Sequence, residues 1–209
     1  ANYAKVAHPY DFYRIKYVAV GGEKLKESTS ELWLHKFGVR LIEGYGTTEA
    51  APLVAANSPM HTKAGTVGRL LPGIESRLEH IEGYDKGGKL WIRGENLMLG
   101  YMKADMPNVL QPLEDGWYDT GDIVDIDAEG FITIIGRAKR FAKIGGEMVS
   151  LTAVEQMLDK MAPDFMYGVV AINDDKKGEQ LVLMTNNPDI AQNDVTTFFK
   201  QNGISELWI

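Results

Sequence analysis

The residues best equipped for chemistry stand in three short stretches. The first, EGYGTTEA (residues 43–50), sets a glycine turn, an aromatic ring, two hydroxyls and a carboxylate within a few positions of one another. Gly44 and Gly46 let the backbone approach a ligand, and Tyr45 offers a ring face to a base. Thr47 and Thr48 can donate to phosphate oxygens, and Glu49 can help to hold Mg2+. The same residues suit an ordinary strand-to-helix turn in which threonine and glutamate cap the next helix, and taken alone that is the commoner use.

The second stretch, GWYDTGDIVDID (residues 116–127), carries Asp119, Asp122, Asp125 and Asp127. It lacks the D-x-D-x-D-G spacing with a later glutamate that builds a calcium loop. Asp122, following a glycine turn, is placed either to accept the two hydroxyls of a ribose or simply to cap that turn. The third stretch, GRAKRFAKIGGEMVS (residues 136–150), holds Arg137, Lys139, Arg140 and Lys143 against Glu147, a net +3 in an acidic chain. Basic residues at a junction are most often a solvated linker.

Composition removes several classes of function. Against 29 Asp and Glu stand 22 Lys and Arg, and a net charge of −7 disfavours a general nucleic-acid binder, which must replace many counterions. No cysteine is present, so thiolate zinc sites, disulfides and cysteine nucleophiles are excluded, in keeping with a reducing compartment. G-x-x-x-x-G-K-[ST] and G-x-S-x-G are both absent, and His8, His35, His61 and His80 have no partner at motif spacing, so they read as surface or packing residues. Trp33, Trp91, Trp117 and Trp208 read as core rather than a stacking platform. No apolar run approaches the roughly 20 residues that span a bilayer, and the start lacks a signal-peptide core, which predicts a soluble chain. Without an initiator methionine, and with SELWI at its end, the chain is expected to be a piece of a longer protein.

These stretches need elements to position them. IKYVAV (15–20) predicts a strand running into Gly21-Gly22, and Lys24–Phe37 a helix whose Leu25, Leu32, Trp33 and Phe37 share a face before a Gly38 cap. VRLIEG (39–44) predicts a second strand. Strand, helix, strand implies a parallel crossover, and ligands collect at the carboxyl ends of such strands, here GGE and EGYGTTEA. From Gly65 to Ile135 short strands alternate with turns: GIESRLEHI, GGKLWIRG, GYM, IVDID and FITIIG. After Gly136 comes a small α+β unit: a helix from near Ser150 to Met161, strands YGVVAI and QLVLMTN around NDDKKGE, and a helix from about Asn193 to Gln201. Ser150 or Thr152 caps the first helix, and Thr152 with Glu155 has capping-box spacing.

In this fixed order, YGTTEA, WYDTGD and GRAKRFAKIGGEMVSLTAVE resemble the ATP-dependent adenylate-forming enzymes: acyl-CoA synthetases, luciferases and peptide-synthetase adenylation domains. GGEKL (21–25), GTVGRLLPG (65–73) and GENLMLGY (94–101) extend the resemblance over nearly the whole chain. Within the family, FAKIGGEMVSLTAVE is most similar to the acyl-acyl carrier protein synthetase region of the bifunctional 2-acylglycerophosphoethanolamine acyltransferases. The resemblance implies an α/β part joined to an α+β part. Residues 1–136 would be the C-terminal portion of the large AMP-binding domain, with parallel strands and a β-rich subdomain. Residues 137–209 would be a truncated, mobile C-terminal domain, with the hinge near 137–140.

The implied reaction joins a fatty acid to AMP from Mg·ATP, then passes the acyl group to the phosphopantetheine thiol of acyl carrier protein, with a link to lysophospholipid reacylation. By matching motifs, Gly22 and Glu23 line the adenine pocket with Tyr45 against the ring, and Gly46 and Thr47 complete the nucleotide loop. Thr48 binds the α-phosphate, Glu49 coordinates Mg2+, and Asp122 holds the ribose hydroxyls beside Arg137. Lys139 is the hinge, and Lys143, Gly145 and Gly146 form a thiol-channel loop that a pantetheine arm passes. Coenzyme A is the alternative acceptor, and a non-catalytic module docking the acidic carrier protein on Arg137, Lys139, Arg140 and Lys143 is an alternative of another class. No nucleic-acid partner is implied. A membrane would enter only through parts outside this chain, which places the parent on the cytoplasmic side of a bacterial inner membrane. Two family features are missing, the Ser/Thr/Gly-rich phosphate loop followed by lysine and the lysine near the C-terminus, so the chain alone is expected to have little or no adenylating activity.

Overall fold

The computed structural model describes residues 2–82, 84–174 and 176–204, apart from the Asp85 side chain. Trp208, the rest of the SELWI end and Asp175 of the NDDKKGE turn lie outside the described residues. The chain divides into two compact units. Unit 1 comprises Ala1–Arg77, Leu90–Thr120 and Asp125–Ile134, and unit 2 comprises Leu78–Lys89, Gly121–Val124 and Ile135–Ile209. The units are interleaved along the chain, whereas the sequence places one linear boundary between 136 and 137.

Unit 1 begins with a short helix α1 (Asn2–Val6) and a 3-10 turn, Pro9–Phe12, capped by the His8 side chain. The strand β1 (Val18–Val20), the helix α2 (Glu27–Phe37) and the strand β2 (Leu41–Gly46) then form the expected parallel crossover, with Val18 opposite Leu41 and Val20 opposite Glu43. Gly38 ends α2 in the left-handed region, φ 66°, where a side chain would be strained. Trp33 and Phe37, one turn apart, face inward, and Phe12 packs on both with ring centroids 4.8 Å away. Leu32, expected on that face, is rotated about 100° from Trp33 and stays exposed. The strands β3 (Leu53–Ala56) and β4 (Arg69–Leu70), which sequence patterning does not predict, extend the sheet antiparallel in the order β1-β2-β3-β4.

The predicted β-rich middle holds β5 (Glu75–Ile81), β6 (Tyr84–Arg93), β7 (Gly100–Met102), β8 (Leu110–Pro112), β9 (Tyr118–Ile126) and β10 (Ile132–Arg137). One sheet runs β10-β9-β6-β5 and a second pairs β7 with β8. The long strands β5, β6, β9 and β10 each carry residues of both units, which is why no single cut in the chain separates them.

Unit 2 continues with a hairpin, β11 (Phe141–Ile144) and β12 (Glu147–Ser150), then α3 (Leu151–Met161), the hairpin β13 (Tyr167–Asp174) and β14 (Gly178–Thr185), and α4 (Gln192–Gln201). Its sheet order is β12-β11-β14-β13. Leu151, Val154 and Leu158 recur at helical spacing and, with Phe199 of α4, cover Ala142, Ile144, Val149 and Val169. Among the described residues no helix is long and apolar enough to cross a membrane.

The α3 cap is resolved in favour of Ser150, whose hydroxyl accepts the Ala153 N–H at 3.2 Å. Glu155 closes no capping box, because its carboxylate accepts from Arg140 at 2.6 Å and from the Val169 N–H at 2.8 Å. Ser150→Ala should therefore lower unfolding free energy by about 1 kcal/mol. Thr152→Ala should cost less than about half of that, measured by urea unfolding, and equal losses would remove Ser150 from the cap.

Candidate functional site

In unit 1 the candidate residues gather at the carboxyl edge of the parallel pair. Gly22 and Glu23 form an exposed bend directly after β1, Gly22 at φ 89°. Tyr45 and Gly46 are the last residues of β2, where its pairing with β3 shifts register. A Cβ on Gly46 would lie 2.0 Å from the Pro52 carbonyl oxygen, so only glycine allows this approach. The Thr47 N–H then donates to the same carbonyl at 2.8 Å, and Thr48–Ala50 make a single 3-10 turn that Ala51, φ 52°, caps two residues before β3.

No helix follows, so the strand-to-helix alternative does not hold. Thr47 makes no cap bond; its hydroxyl is buried and, among the described residues, meets no partner at hydrogen-bond geometry, though it lies close enough to help lower the Glu49 carboxyl, while Thr48 is exposed. A buried polar atom left unsatisfied is uncommon and marks a place where a ligand oxygen would be welcome.

Glu49 projects from the turn and accepts a hydrogen bond from the Tyr101 hydroxyl at 2.6 Å. That bond, before all other causes, holds its carboxyl below the usual carboxylate range, so Glu49 is ionised. Reciprocally, Glu49 pushes the Tyr101 phenol up, which keeps its proton on oxygen. Tyr118 also lies near this pair, and burial raises its own phenol. The Met98 N–H donates to the Glu49 carbonyl at 2.8 Å, and the Asn96 amide to the Ala50 carbonyl at 2.6 Å, so the segment 96–101 is tied to the turn. Sequence reasoning misses Tyr101, Tyr118 and Asn96 as site residues. Their stretches, GENLMLGY and WYDTGD, are visible in the sequence, but a contact across 52 residues is not. Glu43, at the start of EGYGTTEA, accepts the Leu25 N–H at 3.2 Å, and burial raises its carboxyl.

The remaining candidates belong to unit 2. Asp122 on β9 is almost wholly buried and pairs with the Arg137 guanidinium at the end of β10, Nε to Oδ1 2.9 Å, while Arg137 stays largely exposed. Lys139 is exposed in the 3-10 turn Ala138–Arg140. Arg140 bonds Glu155 and the Val169 carbonyl at 3.2 Å, and Lys143 reaches Glu82 at 3.1 Å while its N–H donates to Glu179. Three of the four cations of the basic stretch thus have carboxylate partners, which weighs against a docking patch. Gly145 and Gly146 form the two-residue turn between β11 and β12, with φ 57° and 91°. Positive φ at both central positions is what such a hairpin turn demands, so the two glycines have a cause independent of any passing thiol arm.

Mg2+ at a nucleotide usually takes one or two carboxylates, with phosphates and waters completing its shell. An ionised Glu49 beside the unsatisfied Thr47 hydroxyl fits that donor set. Among the described residues no cluster of three His, Cys, Asp or Glu could hold a metal by protein groups alone.

Residues 1–102 match the AMP-binding enzyme family. The chain is 34% identical over 176 residues to a long-chain-fatty-acid–CoA ligase of Yersinia pestis, covering 81% of this chain and 31% of that protein. It is 32% identical over 181 residues to the mitochondrial medium-chain acyl-CoA ligase ACSF2 of Rattus norvegicus, covering 82% of this chain and 29% of that one. The chain therefore spans about a third of the length of the curated relatives it matches. Among solved structures, unliganded o-succinylbenzoate coenzyme A synthetase of Bacillus subtilis superposes with a TM-score of 0.76 at 26% identity, covering 93% of this chain and 43% of that one. The same synthetase in complex with AMP superposes equally, TM-score 0.76 at 25% identity over 96% of this chain and 43% of that one. With that family match and these relatives, the chain belongs to the adenylate-forming, AMP-binding enzyme superfamily.

Proposed function

We propose that the enzyme to which this chain contributes activates a fatty acid with ATP and delivers the acyl group to a phosphopantetheine thiol. The observation that carries this proposal is the tight turn after β2, with an ionised Glu49 and an unsatisfied Thr47 hydroxyl at the carboxyl end of a parallel strand. The fatty acid is taken from the relatives, which are long-chain and medium-chain acyl ligases by name.

In the first step a carboxylate oxygen of the fatty acid attacks the α-phosphorus of ATP. The bond to the bridging oxygen breaks, and pyrophosphate leaves. In the second, the thiol sulfur attacks the acyl carbon, the carbon–oxygen bond to AMP breaks, and the thiol proton is lost. The first step brings one anion onto another, so its barrier falls with donors and cations aimed at the phosphate. When bound, Mg2+ supplies positive charge there. Glu49 would hold it, Thr48 would donate from its exposed hydroxyl to an α-phosphate oxygen, and Gly46 and Thr47 would line the loop. Tyr45 would lie against adenine, with Gly22 and Glu23 along its edge. Asp122 would accept from the ribose hydroxyls, and Arg137, paired with it at 2.9 Å, would orient that buried carboxylate.

Lys139, in the short turn after Arg137, would be the pivot between the two steps, and the Lys143 hairpin with Gly145 and Gly146 would serve the second. Coenzyme A is the acceptor that the relatives' names favour. Holo-acyl carrier protein is a second reading, favoured by the likeness of FAKIGGEMVSLTAVE to acyl-acyl carrier protein synthetases.

Asp122→Ala should weaken AMP binding by at least about tenfold, measured by calorimetry, since hydrogen bonds to a charged group are among the stronger ones. Unchanged affinity would remove Asp122 from the ribose site. Lys139→Pro loses an N–H and fixes φ, so in an enzyme of the relatives' full length it should slow thioester formation more than acyl-AMP formation. Equal loss in both steps would exclude the pivot. The 209-residue chain by itself should release little or no pyrophosphate from ATP and a fatty acid. The full-length enzyme should, and supplying coenzyme A or holo-carrier protein in parallel identifies the acceptor by which thiol is acylated.

A further inference from the structure

We propose that Tyr101 is a positioning residue of the adenylation step, acting through Glu49. This rests on Glu49 being the magnesium carboxylate of the proposed function. Glu49 sits on a one-turn 3-10 segment at the surface of unit 1, where a glutamate with three rotatable side-chain bonds would sample many orientations. The Tyr101 hydroxyl binds Oε1 at 2.6 Å and so fixes one carboxylate oxygen, which restricts the orientations the carboxylate can take. Tyr101 is itself held in β7, paired across to Gln111, and its segment is fixed to the turn by Met98 and Asn96. Backbone ties therefore set the phenol's place relative to Glu49, and Tyr118 lies near the same pair. Pre-orienting one carboxylate in this way lowers the freedom lost when a metal–nucleotide binds.

The test uses the full-length enzyme and two readouts: calorimetric binding of a non-hydrolysable α,β-methylene ATP across Mg2+ concentrations, and ATP–pyrophosphate exchange. Tyr101→Phe should raise the Mg2+ concentration for half-maximal analogue binding about tenfold. The melting midpoint and the fatty-acid KM should be unchanged. Glu49→Gln should do at least as much, and Tyr101→Phe should add nothing in the Glu49→Gln background. Independent, multiplying losses would show that Tyr101 does not act through Glu49, and a Tyr101→Phe enzyme with wild-type Mg2+ dependence would also overturn the proposal. If Glu49→Gln itself leaves Mg2+ dependence unchanged, the assignment of Glu49 falls and the role of Tyr101 falls with it.

Discussion

How closely β2 doubles back at Gly46 decides everything at the carboxyl edge of unit 1. With a hydrogen in place of Cβ, the backbone comes against the Pro52 carbonyl, and Thr47 can bond to that same oxygen. Any larger residue would push the strands apart and open the turn. Because the turn is so short, there is no room for a helix, and Thr47, Thr48 and Glu49 present their side chains at the strand end instead of capping anything. The parallel pairing of β1 with β2 brings the Gly22-Glu23 bend to the same edge.

Two carboxylates of the candidate site are held by different means. Glu49 lies near solvent and is stabilised as an anion by a phenol that donates to it. Asp122 is buried, where an unpaired carboxylate would be costly, and is matched by Arg137 at the protein surface. A third pair, Arg140 with Glu155, has a structural use, since the same guanidinium and carboxylate also bind the Val169 backbone and tie α3 to β13. The basic stretch of residues 136–150 is thus mostly a set of local ties within unit 2 rather than an open field of positive charge.

Much of this was legible from residue patterns. The parallel crossover followed from apolar runs separated by an amphipathic helix, and Gly38 marked its end because a left-handed cap has a residue preference. The core of unit 2 followed from the spacing of Leu151, Val154 and Leu158. The short strands β3 and β4 did not, since two to four residues carry no readable period. The hairpin β11–β12 was hidden by its charges, which pattern rules assign to a linker, although its two adjacent glycines were the available signal. The choice between Ser150 and Thr152 was undetermined because Glu155 satisfies the capping-box spacing while being held by Arg140.

By itself the sequence determined the class of protein: an acidic, cysteine-free α/β and α+β chain whose motif order is that of adenylate-forming enzymes. It also determined which residue types could meet a nucleotide, because those depend on local chemistry at short spacing. Only the tertiary structure decided how they are held. That Tyr101 faces Glu49, that Arg137 pairs with a buried Asp122 and that the Thr47 hydroxyl meets no partner at hydrogen-bond geometry among the described residues are contacts between distant segments or their absence. Such contacts are set by strand register and turn geometry summed over the fold, and no local pattern of residues encodes them.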